Sequence, residues 1–321
     1  MTVTLEQACA FLKESDDFVI LMHGNPDGDT LGCGMALCGA LQELGKRAMV
    51  RCPDYIPARF DYMRKAYAEQ EFTPRTVIAV DVADPKLLGE LRELGEQTDL
   101  CIDHHESNTG YAKRTLLRGD YAAAAELVLE VIDELGADIT VPIANALYTG
   151  IATDTGCFRF SNTTPASHIK AARLIGLGAE ITPINYAMFD LKTPGRMKLE
   201  QEVLSKIRYY AGGHIAVIYT SIALLDSICD IDSDDVGALA SLPRQIQGVD
   251  IGISIKEKKN GVYKASLRSS ERVNVSDIAQ DFGGGGHARA AGCSFEGVSE
   301  VEAERLIVEA CVKALEKEGI A

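Results

Sequence analysis

Three short apolar runs end in residues of one chemical kind, and this repetition restricts the fold more than any other feature of the chain. Phe18 to Met22 leads into His23-Gly-Asn-Pro-Asp27-Gly-Asp29, Thr76 to Val80 ends in Asp81, and Asp99-Leu-Cys-Ile-Asp103 ends in His104 and His105. Apolar runs of this length read as buried strands, and Thr30 to Ala40 and Pro85 to about Gly95 between them read as helices. Alternation of strand and helix predicts a parallel sheet covered on both faces. Carboxylates and imidazoles then collect where strands hand over to helices, the place where open α/β sheets bind ligands.

The same reading continues along the chain. Arg47 to Cys52 is a further strand, Pro53 to Pro74 a polar connection, and Ala122 to Leu135 and Val141 to Thr153 are helices, the second delivering Asp154. Thr164-Pro165 supplies an N-cap and a first-turn proline for a helix that runs to about Gly178. After Thr193-Pro-Gly195 a helix is expected from Arg196 to Tyr210, followed by strands over His214 to Thr220, Val249 to Lys256 and Tyr263 to Arg268, and a closing helix from Val301 to Glu318. The expected class is α/β: an N-terminal parallel-sheet domain over residues 1–192, a linker helix over 193–212, and a smaller mixed α+β domain over 213–321.

A formal net charge of −15 over 321 residues argues against wrapping long duplex nucleic acid or lying on an acidic membrane. Nine cysteines without a CxxC pair suit reduced, mostly buried thiols. Thr4-Leu-Glu-Gln7 is a capping box rather than part of a leader, and no run is long enough to cross a bilayer, so the expected location is cytoplasmic.

His23, Asp27, Asp29, Asp81, His104 and Asp154 supply four carboxylates and two imidazoles at the ends of successive elements. Buried together without a cation, they would repel one another and lose their hydration at great cost. Two divalent ions remove that conflict. Imidazole and carboxylate without thiolate suit Mn²⁺, with Mg²⁺, Co²⁺ or Fe²⁺ as substitutes, better than structural zinc. One carboxylate shared between ions about 3.5–4 Å apart is the arrangement used for metal-assisted phosphoester hydrolysis. A single aspartate at a strand end is more often a turn or helix cap. Asp120, Asp133 and Asp190 are read that way, and His168 and His214 as structural or exposed.

In order, His23-x-x-x-Asp27-x-Asp29, Asp81, Asp103-His104-His105 and Asp154 resemble the four motifs of the DHH phosphoesterase family, and Gly283-Gly-Gly-Gly-His287-Ala-Arg-Ala-Ala-Gly292 resembles the glycine-histidine motif of its DHH-associated C-terminal domain. The resemblance implies that His23 and Asp27 hold one metal, Asp29, His104 and Asp154 the other, and that Asp81 bridges. It also implies that His105 faces the scissile phosphate as a catalytic group while Asp103 orients an imidazole. Arg268, Ser269, Gly285, Gly286 and His287 would bind substrate. The two-domain form of this length is similar to the nano-RNase class, which degrades short oligoribonucleotides and dephosphorylates adenosine 3′,5′-bisphosphate. A cyclic or linear dinucleotide phosphodiesterase, a pyrophosphatase and a non-catalytic nucleotide sensor are the rival expectations, and a homodimer is left open.

Four consecutive glycines before His287 either bring backbone amides close to an anion or form a flexible loop. Between Arg244 and Gly292 stand eight Lys or Arg (Arg244, Lys256, Lys258, Lys259, Lys264, Arg268, Arg272, Arg289) and five acids (Asp250, Glu257, Glu271, Asp277, Asp281), a local balance of +3 (8 − 5). Lys256, Lys258 and Lys259, beside Asn260-Gly261, read as solvated charges on a hairpin rim. Only 6% of residues are aromatic and tryptophan is absent, which favours short substrates over long single strands. Arg159 and Asn162-Thr163 are secondary candidates for phosphate contacts.

Overall fold

The computed structural model describes residues 1–320 apart from Asp232 and Glu271. Glu271, one of the five acids counted above, thus lies outside the described residues. The chain divides into two compact units, Met1–Leu191 and Lys192–Ala321.

Five parallel strands carry the first unit: β1 (Phe18–Leu21), β2 (Ala48–Arg51), β3 (Thr76–Val80), β4 (Leu100–Asp103) and β5 (Arg114–Leu117), in the order β2-β1-β3-β4-β5. All residues of β1 and β3 are buried, so neither strand alternates. Strand order reverses between β1 and β3, which pair with Phe18 opposite Thr76. The segments leaving these two strands therefore open on the sheet's switch point.

Seven helices complete the unit: α1 (Leu5–Glu14), α2 (Gly28–Glu43), α3 (Arg92–Gly95), α4 (Ala124–Leu135), α5 (Val141–Asp154), α6 (Pro165–Gly176) and α7 (Ile181–Asn185). The Thr4–Gln7 capping box closes in both directions at the start of α1. Every residue from Gly28 to Leu41 is buried, so α2 is a central rather than an amphipathic helix. Its small residues make this feasible, since a side chain at Gly32 would run into the Ala146 carbonyl of α5. Leu31 and Met35 of α2, Val128 of α4 and Leu147 of α5 pack on one face of the sheet, and Val19, Leu21, Val77 and Cys101 form the core of the other.

Local departures from the sequence expectation have physical causes. The Pro53 to Pro74 connection contains a 3₁₀ stretch, Ala58–Ala66, that buries Phe60 and Met63. Pro85 to Gly95 is 3₁₀ up to Leu91, because Gly89 turns left-handed (φ 52°), and only α3 follows as α-helix. β5 was not anticipated; its four residues carry no alternation to mark them.

The second unit comprises α8 (Pro194–Leu204), β6 (Arg208–Tyr210), β7 (Ile215–Thr220), α9 (Ile222–Asp226), α10 (Ser233–Ala238), β8 (Ile251–Lys258), β9 (Val262–Ser269), α11 (Val275–Gln280), β10 (Gly285–His287), β11 (Ala290–Phe295) and α12 (Glu300–Lys317). Its sheet runs β10-β11-β9-β8-β7-β6 and is antiparallel except at β7/β8. Ile253, Ala265, Leu267 and Phe295 pack with Ile307 and Cys311 of α12, whereas Leu199 and Val203 of α8 pack with Ile218. The helix expected through Tyr210 stops at Leu204, since pairing of Arg208 with Val217 overrides local propensity and Tyr210 donates to Glu304 of α12 (2.6 Å). The glycine run enters a hairpin rather than a loose loop: β10 pairs with β11, and side chains at Gly284 and Gly286 would strike the Gly292 and Ala290 carbonyls. Among the described residues no helix is long and apolar enough to cross a membrane.

Candidate metal centre

His23 leaves β1 and its Nδ1 meets the Gly24 carbonyl at 2.9 Å. Donation to a carbonyl places the proton on Nδ1 and leaves Nε2 to face the neighbouring carboxylates. Nε2 lies 3.5 Å from Asp81 Oδ2 and 3.7 Å from Asp27 Oδ1. Asp27 is the N-cap of α2, accepting from the amides of Asp29 (3.0 Å) and Thr30 (3.1 Å). Two residues on, Asp29 is fully buried and its two oxygens accept from the Ala124 (2.7 Å) and Ala125 (2.9 Å) amides at the start of α4. One short sequence thus places two carboxylates on different helix N-termini, where the helix dipole favours negative charge.

Asp81 stands beyond β3 in a left-handed conformation (φ 57°), which a non-glycine residue adopts at a cost that marks functional sites. Buried at 3% exposure, it turns Oδ2 toward His23 and Oδ1 toward His104 Nε2, at 3.5 Å each. His104 follows β4, and the Tyr121 carbonyl holds its Nδ1 at 3.1 Å. Its Nε2 also lies 3.4 Å from Asp154 Oδ2, at the end of α5, and 3.9 Å from Asp29 Oδ2. Two donor sets without a common residue result, His23–Asp27–Asp81 and Asp29–His104–Asp154, and a third group, Asp81–His104–His105, overlaps both; the atoms of each lie within 4.8 Å of one another.

The donor chemistry fits a divalent cation. Asp81 Oδ1 and His104 Nε2 are buried without a hydrogen-bond partner, a costly state for protein groups alone. Burial, then the charges of Asp29, Asp81 and Asp27, push Asp154 up to about 10. Burial likewise pushes Asp29 and Asp81 up. For His23, burial opposes the charged form, but hydrogen bonds to Asp27 and Asp81 outweigh it and raise the imidazole to about 11. So many protons held among carboxylates are what a cation would displace. Cys33 Sγ approaches Asp29 Oδ1 at 3.5 Å, but burial holds this thiol protonated.

His105 borders both sets, its Nδ1 lying 3.5 Å from Asp81 Oδ1. Its Nδ1 donates to Asp103 Oδ1 (2.9 Å), and that bond raises the imidazole to about 9 against the opposing effect of burial. Asp103 is itself buried; burial pushes its carboxyl up, and bonds from His105 and Asn108 outweigh this and hold it below its usual range. Asn108 donates to Asp103 Oδ2 at 2.6 Å. Asp103 faces His105 and the backbone amides of both histidines rather than the metal donors. Sequence reasoning missed Asn108, the Tyr121 carbonyl and Thr30, whose hydroxyl bridges the His23 amide (3.3 Å) and the Val80 carbonyl (3.2 Å). Only Asn108, shortly after the histidine pair, offered a side-chain signal.

Of the secondary candidates, Asn162 spends its amide on the Ala122 and Asp154 carbonyls (3.2 and 3.1 Å), so it anchors the end of α5 rather than awaiting a phosphate. Arg159 Nε donates to Gly156 O at 2.6 Å. His168 stacks on Phe158 (4.9 Å), and His214 binds Asp250 (2.8 Å). Asp120 pairs with Arg118 and Asp133 with Arg173.

The second-unit candidates lie on the β9–β11–β10 edge. Arg268 is half-buried, with one bond to the Leu267 carbonyl (3.0 Å), and burial lowers its guanidinium. Ser269 turns its hydroxyl to the Val273 carbonyl at 2.6 Å. Gly285, Gly286 and His287 are exposed. Register aligns His287 with Ala290 and Ala290 with Arg268, so His287 and Arg268 share one face.

Residues 17–151 match the DHH family, N-terminal domain, and residues 215–314 match the DHHA1 domain. A bifunctional oligoribonuclease and PAP phosphatase NrnA from Thermus thermophilus is 32% identical over 308 residues, spanning 94% of this chain and 90% of that protein. The chain belongs to the DHH phosphoesterase family. Among solved structures, an exopolyphosphatase-related protein from Bacteroides fragilis shares the fold at a TM-score of 0.87, with 24% identity over 98% of this chain and 97% of that one. RecJ from Thermus thermophilus, in complex with Mn²⁺, shares it at 0.56, with 15% identity over 96% of this chain and 55% of RecJ. The Mn²⁺ is RecJ's; in this chain the donor sets above are the groups that could hold a divalent ion.

Proposed function

We propose that the protein hydrolyses short oligoribonucleotides to mononucleotides and adenosine 3′,5′-bisphosphate to AMP. The observation that carries this reading is Asp81, whose two oxygens each face a separate imidazole-carboxylate donor set. The named activities of the Thermus thermophilus relative, which aligns over nearly the whole chain, supply the substrate class.

His23 and Asp27 would hold one ion, Asp29, His104 and Asp154 a second, and Asp81 both, with Mn²⁺ the favoured metal and Mg²⁺ or Co²⁺ able to replace it. When bound, such ions polarise a phosphoryl oxygen and neutralise its charge. The protein's own contribution is position and protons. Carbonyls fix the rings of His23 and His104, and the N-termini of α2 and α4 hold Asp27 and Asp29. His105, kept protonated by Asp103, presents a partly exposed imidazolium that can stabilise charge on the phosphate or donate to the leaving oxygen. Arg268, Ser269, His287 and the Gly285–Gly286 backbone are the second unit's substrate-binding residues in this reading. All nine cysteines are free, which accords with a reducing cytoplasm.

The test is a substrate panel with purified protein and Mn²⁺: di- to pentaribonucleotides, the matching DNA, adenosine 3′,5′-bisphosphate and a cyclic dinucleotide. Mononucleotide release from short RNA and phosphate release from the bisphosphate are expected. Inactivity on both would overturn the reading, and exclusive turnover of the cyclic dinucleotide would replace it.

A further inference from the structure

The Asp29–His104–Asp154 set draws its support from one stretch of chain, residues 118–125, which runs from the end of β5 into α4. The Arg118 amide donates to the carbonyl of Asp103 (3.1 Å), just before His104 in the chain, and the Tyr121 carbonyl accepts from His104 Nδ1 (3.1 Å). A bond from the Tyr121 amide to the Arg118 carbonyl (3.0 Å) closes the turn between them. Three residues further on, the Ala124 and Ala125 amides hold the two oxygens of Asp29. Asp154 joins through Asn162, whose Nδ2 carries two hydrogens and donates to the carbonyls of Ala122 (3.2 Å) and Asp154 (3.1 Å).

From Ala122 to Ala125 the side chains of this stretch are methyl groups, which fill space but fix no direction. Tyr121 and α6 supply the direction. Lys170 Nζ of α6 stands 3.9 Å from the centre of the Tyr121 ring, and the guanidinium carbon of Arg118 stands 4.3 Å from it. The Tyr121 hydroxyl donates to Glu130 of α4 (2.7 Å), which also meets Lys170 (2.9 Å). One turn earlier on α4, the fully buried Glu126 accepts from Ser167 of α6 (2.6 Å) and faces Lys170 (3.5 Å). Helix α6 thus grips ring and helix together, and Asn162, in the loop before it, fastens the backbone between them.

The other donor set has no such tie. His23 is oriented by the Gly24 carbonyl, and Asp27 by the amides of Asp29 and Thr30, all within seven residues of one another. A change at Tyr121 or Asn162 therefore reaches one set directly and bears on the other only through its neighbours.

We propose that Tyr121 and Asn162 are positioning residues that set the affinity of the Asp29–His104–Asp154 site and leave that of the His23–Asp27 site to its own loop. Their side chains bond to backbone carbonyls and to Glu130, not to a donor atom of either set. This rests on the two-ion centre proposed above and adds how unequally its halves are held. Removing a group that orients a metal ligand costs about 10–100-fold in metal affinity.

The experiment titrates Mn²⁺ into metal-free protein, following the free ion by electron paramagnetic resonance, and measures the stability of each metal-free protein in urea. Wild type is compared with Asn162→Ala, Tyr121→Leu, Tyr121→Phe and Asn145→Ala. Asn145 is an amide of the same helix α5, but it exchanges bonds with Glu180 (3.1 and 2.8 Å) instead of the 118–125 stretch. Asn162→Ala and Tyr121→Leu are expected to weaken one binding step about 10–100-fold and leave the other within about threefold of wild type. A spin-coupled pair should reappear in both variants at saturating Mn²⁺. Tyr121→Phe keeps the ring under Lys170 and should restore near-wild-type binding, while Asn145→Ala should lose stability and keep both affinities. Equal weakening of both steps, no weakening in Asn162→Ala and Tyr121→Leu, or the same loss in Asn145→Ala would overturn the proposal. Should Tyr121→Leu fail to fold, Asn162→Ala, which alters an exposed side chain, decides alone. A wild type that binds one Mn²⁺ would contradict the two-ion centre instead; the positioning role then falls unless Asn162→Ala weakens that ion and Asn145→Ala does not.

Discussion

Asp81 is the residue on which the site turns, because its oxygens face both donor sets and one of them has no other partner. Asp81→Ala should abolish turnover, by about a thousandfold or more, while the far-UV spectrum and the melting cooperativity of the metal-free protein stay native. His105 gives a prediction in pH. Its imidazolium is held up to about 9 by Asp103, so the acid form persists through neutrality. Asp103→Asn removes the carboxylate, and the folded-state pKa should fall toward about 6.5. The alkaline fall in kcat/KM, attributed to loss of the His105 proton, should therefore begin at lower pH in the variant. An alkaline limb that does not move would remove His105 from the proton chemistry.

At the scale of elements, α2 and α5 must lie close for Asp29 and Asp154 to share His104. Gly32 permits that approach and Gly150 keeps clear of Asp29, whose Oδ1 would lie 2.8 Å from a Cβ there. Gly32→Val should lower stability by roughly 1–3 kcal/mol through overpacking and weaken metal binding as well, read by thermal melts with and without Mn²⁺. The strand ends were legible in sequence because β1, β3 and β4 are buried apolar runs that stop at charge, and α5 because its Pro142 start and Asp154 end bracket it. What could not be read was set by tertiary pairing. β5 has no pattern of its own, β10 is three residues of which two are glycine, and β6 continues a helical pattern that only its pairing with β7 overrides. Likewise, that Asp29 caps α4 some 95 positions later is invisible to local spacing.

For the whole molecule, acid and metal act on different units. Burial pushes the Asp250 carboxyl up, but bonds from His214, Arg272 and Ser270 outweigh this and hold it below its unfolded value. A depressed carboxyl contributes stability that is full above the unfolded pKa of about 3.9 and is lost as pH falls through the folded one. Asp250→Asn should thus destabilise the neutral protein by roughly 1–3 kcal/mol and flatten the loss of stability below about pH 4, measured by urea titration across that range. In the first unit metal uptake has the same pH direction for a different reason, since protons on His23 and Asp154 must leave when a cation enters. Affinity should rise with pH, and calorimetry in buffers of different ionisation enthalpy should register proton release. The most direct measurement is Mn²⁺ stoichiometry by equilibrium dialysis, joined to electron paramagnetic resonance of the bound ions. The paired donor sets predict two Mn²⁺ per chain with a spin-coupled spectrum, and loss of both the coupling and at least one ion in Asp81→Ala. A single uncoupled ion in the wild type, or two coupled ions retained by the variant, would contradict a centre built around Asp81.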